Sequence, residues 1–371
     1  MSPTFDAVYL GIKDWDYPLK SRSHFLSRAL SELGWRVLYV NPQWYPTSVQ
    51  GARGSRLTEG VVDVGNAISV ASIDLGNRDS LSSSSTVGRY RIAAARLSQL
   101  FAQLCIKRPI VVLSQPLDIL LLTAIEPRFV VCDYMDDYSG YFSSLTDYLD
   151  KYLKAANLIT CVSPAVCDLI PPGFRDKIFI VRSGARITSV ARNRSRGGIV
   201  FAGAVNQRVR LDVIAAIARG RPGENVALIG PIQTDVSQVT RLKNVEVVGP
   251  IDASALPRRL SQFKVGIIPF RQHGVARYCD PLKFFDYLSA GLSIVSTSIP
   301  AVASHGPFVS IADEMQHFVG TVYECLEKGL DPNEVERRES YLTANSWSTR
   351  ARSLNSAIRS RLSDLNSAVK Q

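Results

Sequence analysis

Three short stretches of the chain hold side chains whose types and spacing could do chemistry. The first is Cys132-Asp133-Tyr134-Met135-Asp136-Asp137-Tyr138, which crowds three acids directly behind the apolar run Phe129–Cys132. Carboxylates this close repel one another unless something uses them. One of such a pair tends to hold its proton more tightly, which suits a general base. The structural alternative is that Asp136 or Asp137 caps a following helix, expected over 142–155. One aspartate could cap while the other works.

The second stretch is Gly203-Ala204-Val205-Asn206-Gln207-Arg208, after Gly198–Gly203 (GIVFAG). A glycine between strand and helix lets backbone N–H groups approach a phosphate, and Arg208 could add a forked contact. An ordinary strand-to-helix turn is the alternative. The third stretch is Arg277-Tyr278-Cys279-Asp280-Pro281-Leu282-Lys283-Phe284-Phe285-Asp286, continuing to Gly291. Pro281 suits the first turn of a helix and Gly291 its end. Lys283 and Asp286 then share a face. A lysine beside the positive end of a helix dipole is locally unfavourable, and a bound anion would reverse that sign. A solvated Lys–Asp pair is the alternative.

These stretches need a scaffold, and the hydrophobic pattern supplies one. Asp6–Ile12 reads as a strand, Leu19–Leu33 as an amphipathic helix stopped by Gly34, and Arg36–Asn41 as the next strand. Strand, helix, strand in this span is a βαβ unit and implies a parallel sheet. Further strands are expected at Ile68–Ile73, Ile110–Ser114, Phe129–Cys132, Leu158–Val162 and Lys177–Arg182, with helices near 88–106, 142–155 and 164–171. Ser80–Ser85 reads as a loop and Ser183–Arg196 as a basic linker. The second half repeats the grammar: strands at Gly198–Gly203, Asn225–Gly230, Val245–Gly249, Val265–Phe270 and Ser293–Thr297, helices at 210–219 and Pro281–Ala290. A last helix, Ser346–Ser363, opens on Ser346 as its cap. The fold class is α/β, two doubly wound Rossmann-like halves. In such sheets ligands bind beyond the carboxyl ends of the strands, where all three stretches lie.

Composition narrows the function. No apolar run among the 371 residues approaches the roughly 20 that a membrane-spanning helix needs. Met1–Asp6 lacks the basic flank and apolar core of a secretory signal, so a cytoplasmic protein is expected. The six cysteines (105, 132, 161, 167, 279, 325) form no CxxC pair and read as small buried hydrophobes in a reducing compartment. No metal site is expected from the scattered histidines. Residues 1–185 carry 19 basic and 17 acidic side chains, a net +2, and residues 186–371 carry 24 and 16, a net +8. That asymmetry suits a nucleotide diphosphate or an anionic membrane surface. It does not suit nucleic acid, because the basic residues are not interleaved with aromatics and no recognition motif is present.

The phrases GIVFAGAV, NVALIGP, NVEVVGPID, LPRRLSQFKVGIIPF and DPLKFFDYLSAGLSIVST, in that order, resemble the nucleotide-sugar domain of GT-B glycosyltransferases. The last phrase resembles both the large group 1 transferase family and the membrane-associated glucuronosyltransferase of xanthan synthesis. YLGIKDWDYPLKSRSHFLSRAL and YMDDY resemble the acceptor domain more loosely.

The resemblance implies an acceptor domain over 1–185, a nucleotide-sugar domain over 186–345, a cleft between them, and a C-terminal helix (346–371) packing back on the first domain. It gives Lys283 the donor diphosphate and Asp286 the ribose hydroxyls. Gly203 and Arg208 would face the phosphates, with Arg277 and Tyr278 also on the donor side. The loops around Ile251 and Phe270 would flank the base. Arg22 and His24 fall on the acceptor side, and Asp136 or Asp137, Asp137 slightly preferred, corresponds to the aspartate proposed as base in the xanthan enzyme. Retaining group 1 enzymes usually carry two glutamates eight positions apart. Here Tyr278 stands eight residues before Asp286, which tilts the expectation towards inversion.

The expected activity is transfer of a hexosyl or glucuronosyl group from a UDP- or GDP-sugar to a hydroxyl, without metal or cofactor. The acceptor is expected to be a lipid-linked glycan intermediate of cell-surface polysaccharide. Lys20, Arg22 and Arg28 on the Leu19–Leu33 helix would meet anionic headgroups of the inner leaflet. A non-catalytic nucleotide-sugar-binding scaffold is the alternative. A dinucleotide-dependent oxidoreductase is disfavoured, because Gly11-Ile12-Lys13-Asp14-Trp15 lacks GxGxxG.

Overall fold

The computed structural model describes residues 6–42, 60–73, 86–138, 146–187, 196–328 and 332–368. The chain divides into two compact units, Met1–Arg182 with Arg350–Gln371, and Ser183–Thr349. The boundary falls at 182/183, three residues before the expected one.

The first unit holds β1 (Ala7–Leu10), β2 (Val37–Val40), β3 (Gly60–Gly65), β4 (Ile68–Ser72), β5 (Ile110–Leu113), β6 (Phe129–Tyr134), β7 (Leu158–Cys161) and β8 (Ile178–Ile180). They lie in the order β3-β4-β2-β1-β5-β6-β7-β8. Near-continuous β-branched and aliphatic runs form the inner strands, which are buried throughout, as a sheet covered on both faces requires. The strand order reverses beside β1, between β2 and β5. One pairing departs from the expected parallel sheet: β3 runs antiparallel to β4 at the edge. Asn66 and Ala67, with φ of 53° and 56°, make the tight left-handed turn that joins them. An Asn after Gly65 was the available signal.

The second unit holds β9 (Ile199–Ala202), β10 (Val226–Ile229), β11 (Val245–Gly249), β12 (Val265–Ile268), β13 (Ser293–Ser296) and β14 (Ser310–Ile311), in the order β11-β10-β9-β12-β13-β14. Every pairing is parallel. The order reverses at β9, between β10 and β12. Helices Leu211–Gly220, Lys283–Ser289 and Met315–Glu327 bury their apolar sides in the same core as these strands. Helix 315–327 was not expected, although Phe318, Val322 and Leu326 stand at helical spacing and are buried.

Several expectations change. The helix Arg22–Glu32 is not a surface helix: Arg22, Ser23, His24, Leu26, Ser27, Ala29, Leu30 and Ser31 are all buried. Arg22 is 5% exposed, so it cannot reach a lipid headgroup. Arg28 lies over the Trp15 ring and Lys20 donates to the Trp15 carbonyl. The capping expected of Asp136 or Asp137 falls on residues 139–145, which lie outside the described residues; the next described helix is Thr146–Ala155. Ser183 and Arg186, expected within a linker, are hydrogen-bonded to Asp280 and Asp286. Residues 188–195 and Ser80–Ser85 lie outside the described residues. Cys105 is exposed rather than buried, since at φ 54° it turns the chain out of the helix Thr86–Gln103. Cys132 and Cys161 are buried as expected.

The closing helix, Trp347–Ala368, starts where Ser346 was expected to cap it, and the Thr349 N–H donates to Ser346 Oγ at 3.2 Å. Its residues from Arg350 belong to the first unit. There Trp35 Nε1 donates to Asn355 Oδ1 at 3.2 Å and Arg361 donates to the Asp176 carbonyl.

His24 is fully buried, between Trp15 and Tyr39. Its Nδ1 accepts from the Ser21 N–H at 3.1 Å, and Nε2–H donates to the Asp14 carbonyl at 3.0 Å. Both nitrogens are therefore committed to holding the loop Asp14–Ser21. Burial pulls the imidazole pKa down to about 3. The folded value lies below the ordinary one of 6.5. Stability from this group is therefore present above pH 6.5 and lost as pH falls towards 3. The loss should be on the order of 5 kcal/mol for such a shift. His24→Gln, which can keep both hydrogen bonds, should flatten the acid limb of a urea-unfolding series between pH 6 and 4. A variant curve that parallels the unaltered protein would rule this out.

Candidate active site

The second unit gathers most of its candidate residues at the carboxyl ends of β9 and β12, where the strand order reverses. β12 pairs with β9 only at Val265 and Gly266 and then diverges from it. Tyr287, one turn along the helix Lys283–Ser289, fills the split. Its hydroxyl accepts from the Ala202 N–H at 2.7 Å and donates to the Ile267 carbonyl at 3.3 Å. Two backbone groups that the divergence would leave bare are thereby satisfied. A side chain at Gly266 would meet the Tyr287 ring at 2.5 Å, so only glycine admits the wedge.

Beyond the split, Gly203, Gly230 and Gly249 end β9, β10 and β11, each with positive φ. Gly203 N–H donates to Ile229 O at 2.7 Å and Gly230 N–H to Gly249 O at 2.8 Å. A β-carbon on Gly230 would meet the Gly203 carbonyl. The loop continuing from Gly203 is fastened to the one after β12: Arg210 N–H donates to Pro269 O at 2.8 Å and Arg271 N–H to Arg208 O at 2.8 Å.

Lys283 opens its helix, and its Nζ lies 3.9 Å from the Phe201 ring centroid and 4.3 Å from that of Phe270. A β-carbon at Gly203 would touch its Cε and Nζ at 3.0 Å. The ammonium is thus enclosed by two aromatic faces and the glycine backbone. Burial, reinforced by the charge of Arg208, lowers its pKa to about 7; Cys279 and Asp286 oppose the shift. Arg208 Nη1 donates to Cys279 Sγ at 3.2 Å. Gly203, Arg208, Phe270 and Lys283 are therefore brought together. A glycine backbone, a guanidinium and an adaptable ammonium at a helix N-terminus can hold a diphosphate.

Asp286 is held by Arg186, whose Nη2 donates to Oδ1 at 2.7 Å. Ile251 is half-buried against the core of this unit. Arg277 and Tyr278 occupy the 3-10 turn Gly274–Tyr278, Arg277 exposed and Tyr278 half-buried. Tyr287 and Arg186 were missed. Tyr287 stands four residues after Lys283 within an otherwise apolar helix face, the one signal available for it. Arg186 gave none.

In the first unit the three acids behind β6 separate by environment. Asp133 is buried on the strand itself. It accepts from Arg22 Nε at 2.9 Å and 3.1 Å, from Thr160 Oγ1 at 2.6 Å and from Tyr9 Oη at 3.3 Å. Arg22 is thus a partner of Asp133, and both are buried. Asp136 and Asp137 follow the strand, half-buried, with the Asp137 N–H donating to Asp136 Oδ1 at 3.1 Å. Beside them the Tyr134 hydroxyl is raised well above its ordinary pKa, by burial first and then by the charge of Asp137. Among the described residues, no group of histidine, cysteine, aspartate and glutamate is disposed to hold a metal ion, and no helix is long and apolar enough to cross a membrane.

No family model matches the chain. A protein named as a teichuronic acid biosynthesis glycosyltransferase, TuaH of Bacillus subtilis (strain 168), is 27% identical over 239 residues, 56% of this chain. The match spans 60% of that relative's length. Among solved structures, the sucrose-phosphate synthase of Thermosynechococcus elongatus aligns with a TM-score of 0.70 at 13% identity, covering 96% of this chain and 99% of its own. The α,α-trehalose 6-phosphate synthase of Burkholderia multivorans gives 0.67 at 13%, covering 98% and 100%. The trehalose-6-phosphate enzyme of Escherichia coli, bound with UDP-2-fluoro glucose, gives 0.67 at 12%, covering 95% and 98%.

The enclosure of Lys283 can be read directly. With lysines labelled by ¹³C-methylation, the resonance absent from Lys283→Met should titrate near pH 7. UDP added at pH 8 should return that resonance to its protonated position. Titration of Lys283 at the ordinary lysine value of 10.5 would show that the two rings do not enclose it.

Proposed function

From the GT-B fold, which these structural likenesses establish, we propose that the chain is a glycosyltransferase that moves a sugar from a nucleotide-sugar donor to an acceptor hydroxyl. The observation that carries the proposal is the cluster of Lys283, Arg208 and Gly203 at the point where the second sheet splits. It offers a diphosphate two cations beside a glycine turn. Asp286 lies on the same helix, three residues beyond Lys283, as a ribose contact. The donor is a UDP- or GDP-sugar, with a hexosyl or glucuronosyl group to transfer.

The first unit takes the acceptor. In an inverting step, Asp137 or Asp136 removes the proton from the acceptor hydroxyl. That oxygen bonds to the anomeric carbon, and the bond from carbon to the diphosphate oxygen breaks on the opposite face. The nucleoside diphosphate leaves with the charge that Lys283 and Arg208 offset. Nothing in this scheme uses a metal. Lys283, near its pKa when the site is free, takes up a proton as the anion binds, so its cation is strongest when the leaving charge is there.

The acceptor is proposed to be a lipid-linked glycan intermediate of a cell-surface polysaccharide; the name of TuaH, a teichuronic acid biosynthesis glycosyltransferase, supports the polysaccharide part of this reading. The enzyme would work in the cytoplasm, peripherally on the inner leaflet. The net +8 of residues 186–371 supports such a contact; the buried helix Arg22–Glu32 does not contribute to it.

Incubation with a panel of UDP- and GDP-sugars and a lipid-linked acceptor should yield glycosylated product from one donor. Binding without product would mark a scaffold instead. Asp136→Asn and Asp137→Asn should both bind UDP as well as the unaltered protein, and melting curves taken alongside separate lost chemistry from a lost helix cap. One of them should lose roughly 10²–10⁴-fold in turnover. Near-native turnover in both would exclude the inverting scheme.

A further inference from the structure

Asp286 does not stand alone on its helix. Arg186 Nη2 donates to its Oδ1 at 2.7 Å, while Nη1 of the same guanidinium donates to the Ala253 carbonyl at 3.0 Å. Ala253 lies two residues beyond Ile251, in the loop that leaves β11. One planar fork therefore ties the helix carrying the ribose-binding carboxylate to the loop expected to flank the base. Lysine, with a single ammonium, cannot bridge two acceptors in this fixed plane. The ion pair is largely enclosed, with Arg186 and Asp286 side chains 21% and 19% exposed, so solvent weakens it less than it would a surface pair.

Arg186 is itself held in place. The preceding residue makes a two-sided backbone pairing: Ala185 N–H donates to Asn345 O at 2.8 Å, and Trp347 N–H donates to Ala185 O at 3.1 Å. Ser289 Oγ donates to the Arg186 carbonyl at 3.3 Å. Three residues upstream, Ser183 N–H donates to Asp280 Oδ2 at 2.7 Å and Ser183 Oγ to the Asp280 carbonyl at 2.8 Å. The stretch Ser183–Arg186 thus runs along the donor segment, fastened on either side of Lys283. Among the described residues, Asp286 Oδ2 takes no hydrogen bond, while Oδ1 is occupied by Arg186.

We propose that Arg186 is the positioning residue of the nucleoside subsite: by engaging Oδ1 of Asp286 and the Ala253 carbonyl, it aims Oδ2 at the ribose hydroxyls and sets the distance between ribose and base walls. The role rests on the donor reading above. It makes recognition of ribose depend on a residue that touches no ligand.

The test compares binding of UDP and GDP with that of their 2′,3′-dideoxy analogues by calorimetry. The unaltered chain should prefer the ribonucleotide by roughly 10- to 100-fold, the scale of charge-assisted hydrogen bonds. Asp286→Asn should lose most of that preference. Arg186→Met and Arg186→Gln should lose most of it too, and Arg186→Lys should recover only part. With a nucleotide-sugar substrate, the Arg186 variants should raise KM and leave kcat within about threefold, since the lost contacts are made equally in ground and transition states. If the Arg186 variants keep the ribose preference that Asp286→Asn loses, the role is overturned and the donor reading stands. Equal weakening of both nucleotide types would also overturn it, because that is what loosening of the unit alone would give. If the unaltered chain binds neither nucleotide, the donor reading fails and takes the role with it.

Discussion

The second unit is organised around a parallel sheet that opens between two neighbouring strands. Opening a sheet strands backbone groups, and a buried amide or carbonyl without a partner costs a substantial part of a domain's stability. Tyr287 resolves this with one hydroxyl, accepting from Ala202 and donating to Ile267. The rest follows from that wedge. Gly266 must be glycine to admit the ring. The helix bearing Tyr287 must lie across the mouth of the split, and Lys283, one turn earlier, is carried over Phe201 and Phe270. The placement of Lys283, where an anion site is proposed, is therefore a by-product of how the sheet is held apart.

The same economy governs the first unit, with a charge pair in place of a hydroxyl. Asp133 on β6 is buried, and Arg22, Thr160 and Tyr9 converge on it from three other elements. Burying one member of such a pair alone would cost several kcal/mol, so the helix Arg22–Glu32 and β6 fix each other's position. That is why the helix lies buried on the sheet.

What could be read from the sequence was what is local. Alternating β-branched runs and glycine stops placed the strands, because parallel strands buried on both faces need such runs. The phrase around Lys283 stood out because proline, lysine, aspartate and glycine occupied capping and dipole positions that a neutral helix would not choose. What was not legible depends on partners far along the chain. Arg186 and Asp286 are 100 residues apart, Arg22 and Asp133 are 111. No spacing rule joins such pairs. Asp133, Asp136 and Asp137 looked alike because proximity in sequence hides which side of a strand's last residue each falls on. The helix expected over 142–155 is described from Thr146 to Ala155.

The pairing of Ala185 with Asn345 and Trp347 has a topological consequence. It ties the entry and exit of the second unit together, so closely that a side chain at Gly184 would meet the Trp347 backbone nitrogen at 2.9 Å. The second unit is in effect an insertion whose ends meet, while the first is a discontinuous body finished only by the closing helix. During synthesis the inserted unit emerges whole and can fold while the first still lacks Ala351, Leu354 and Ile358, which are buried only once the last residues arrive. The order in which the two units can finish folding therefore differs from their order along the sequence: the middle of the protein can mature before its beginning.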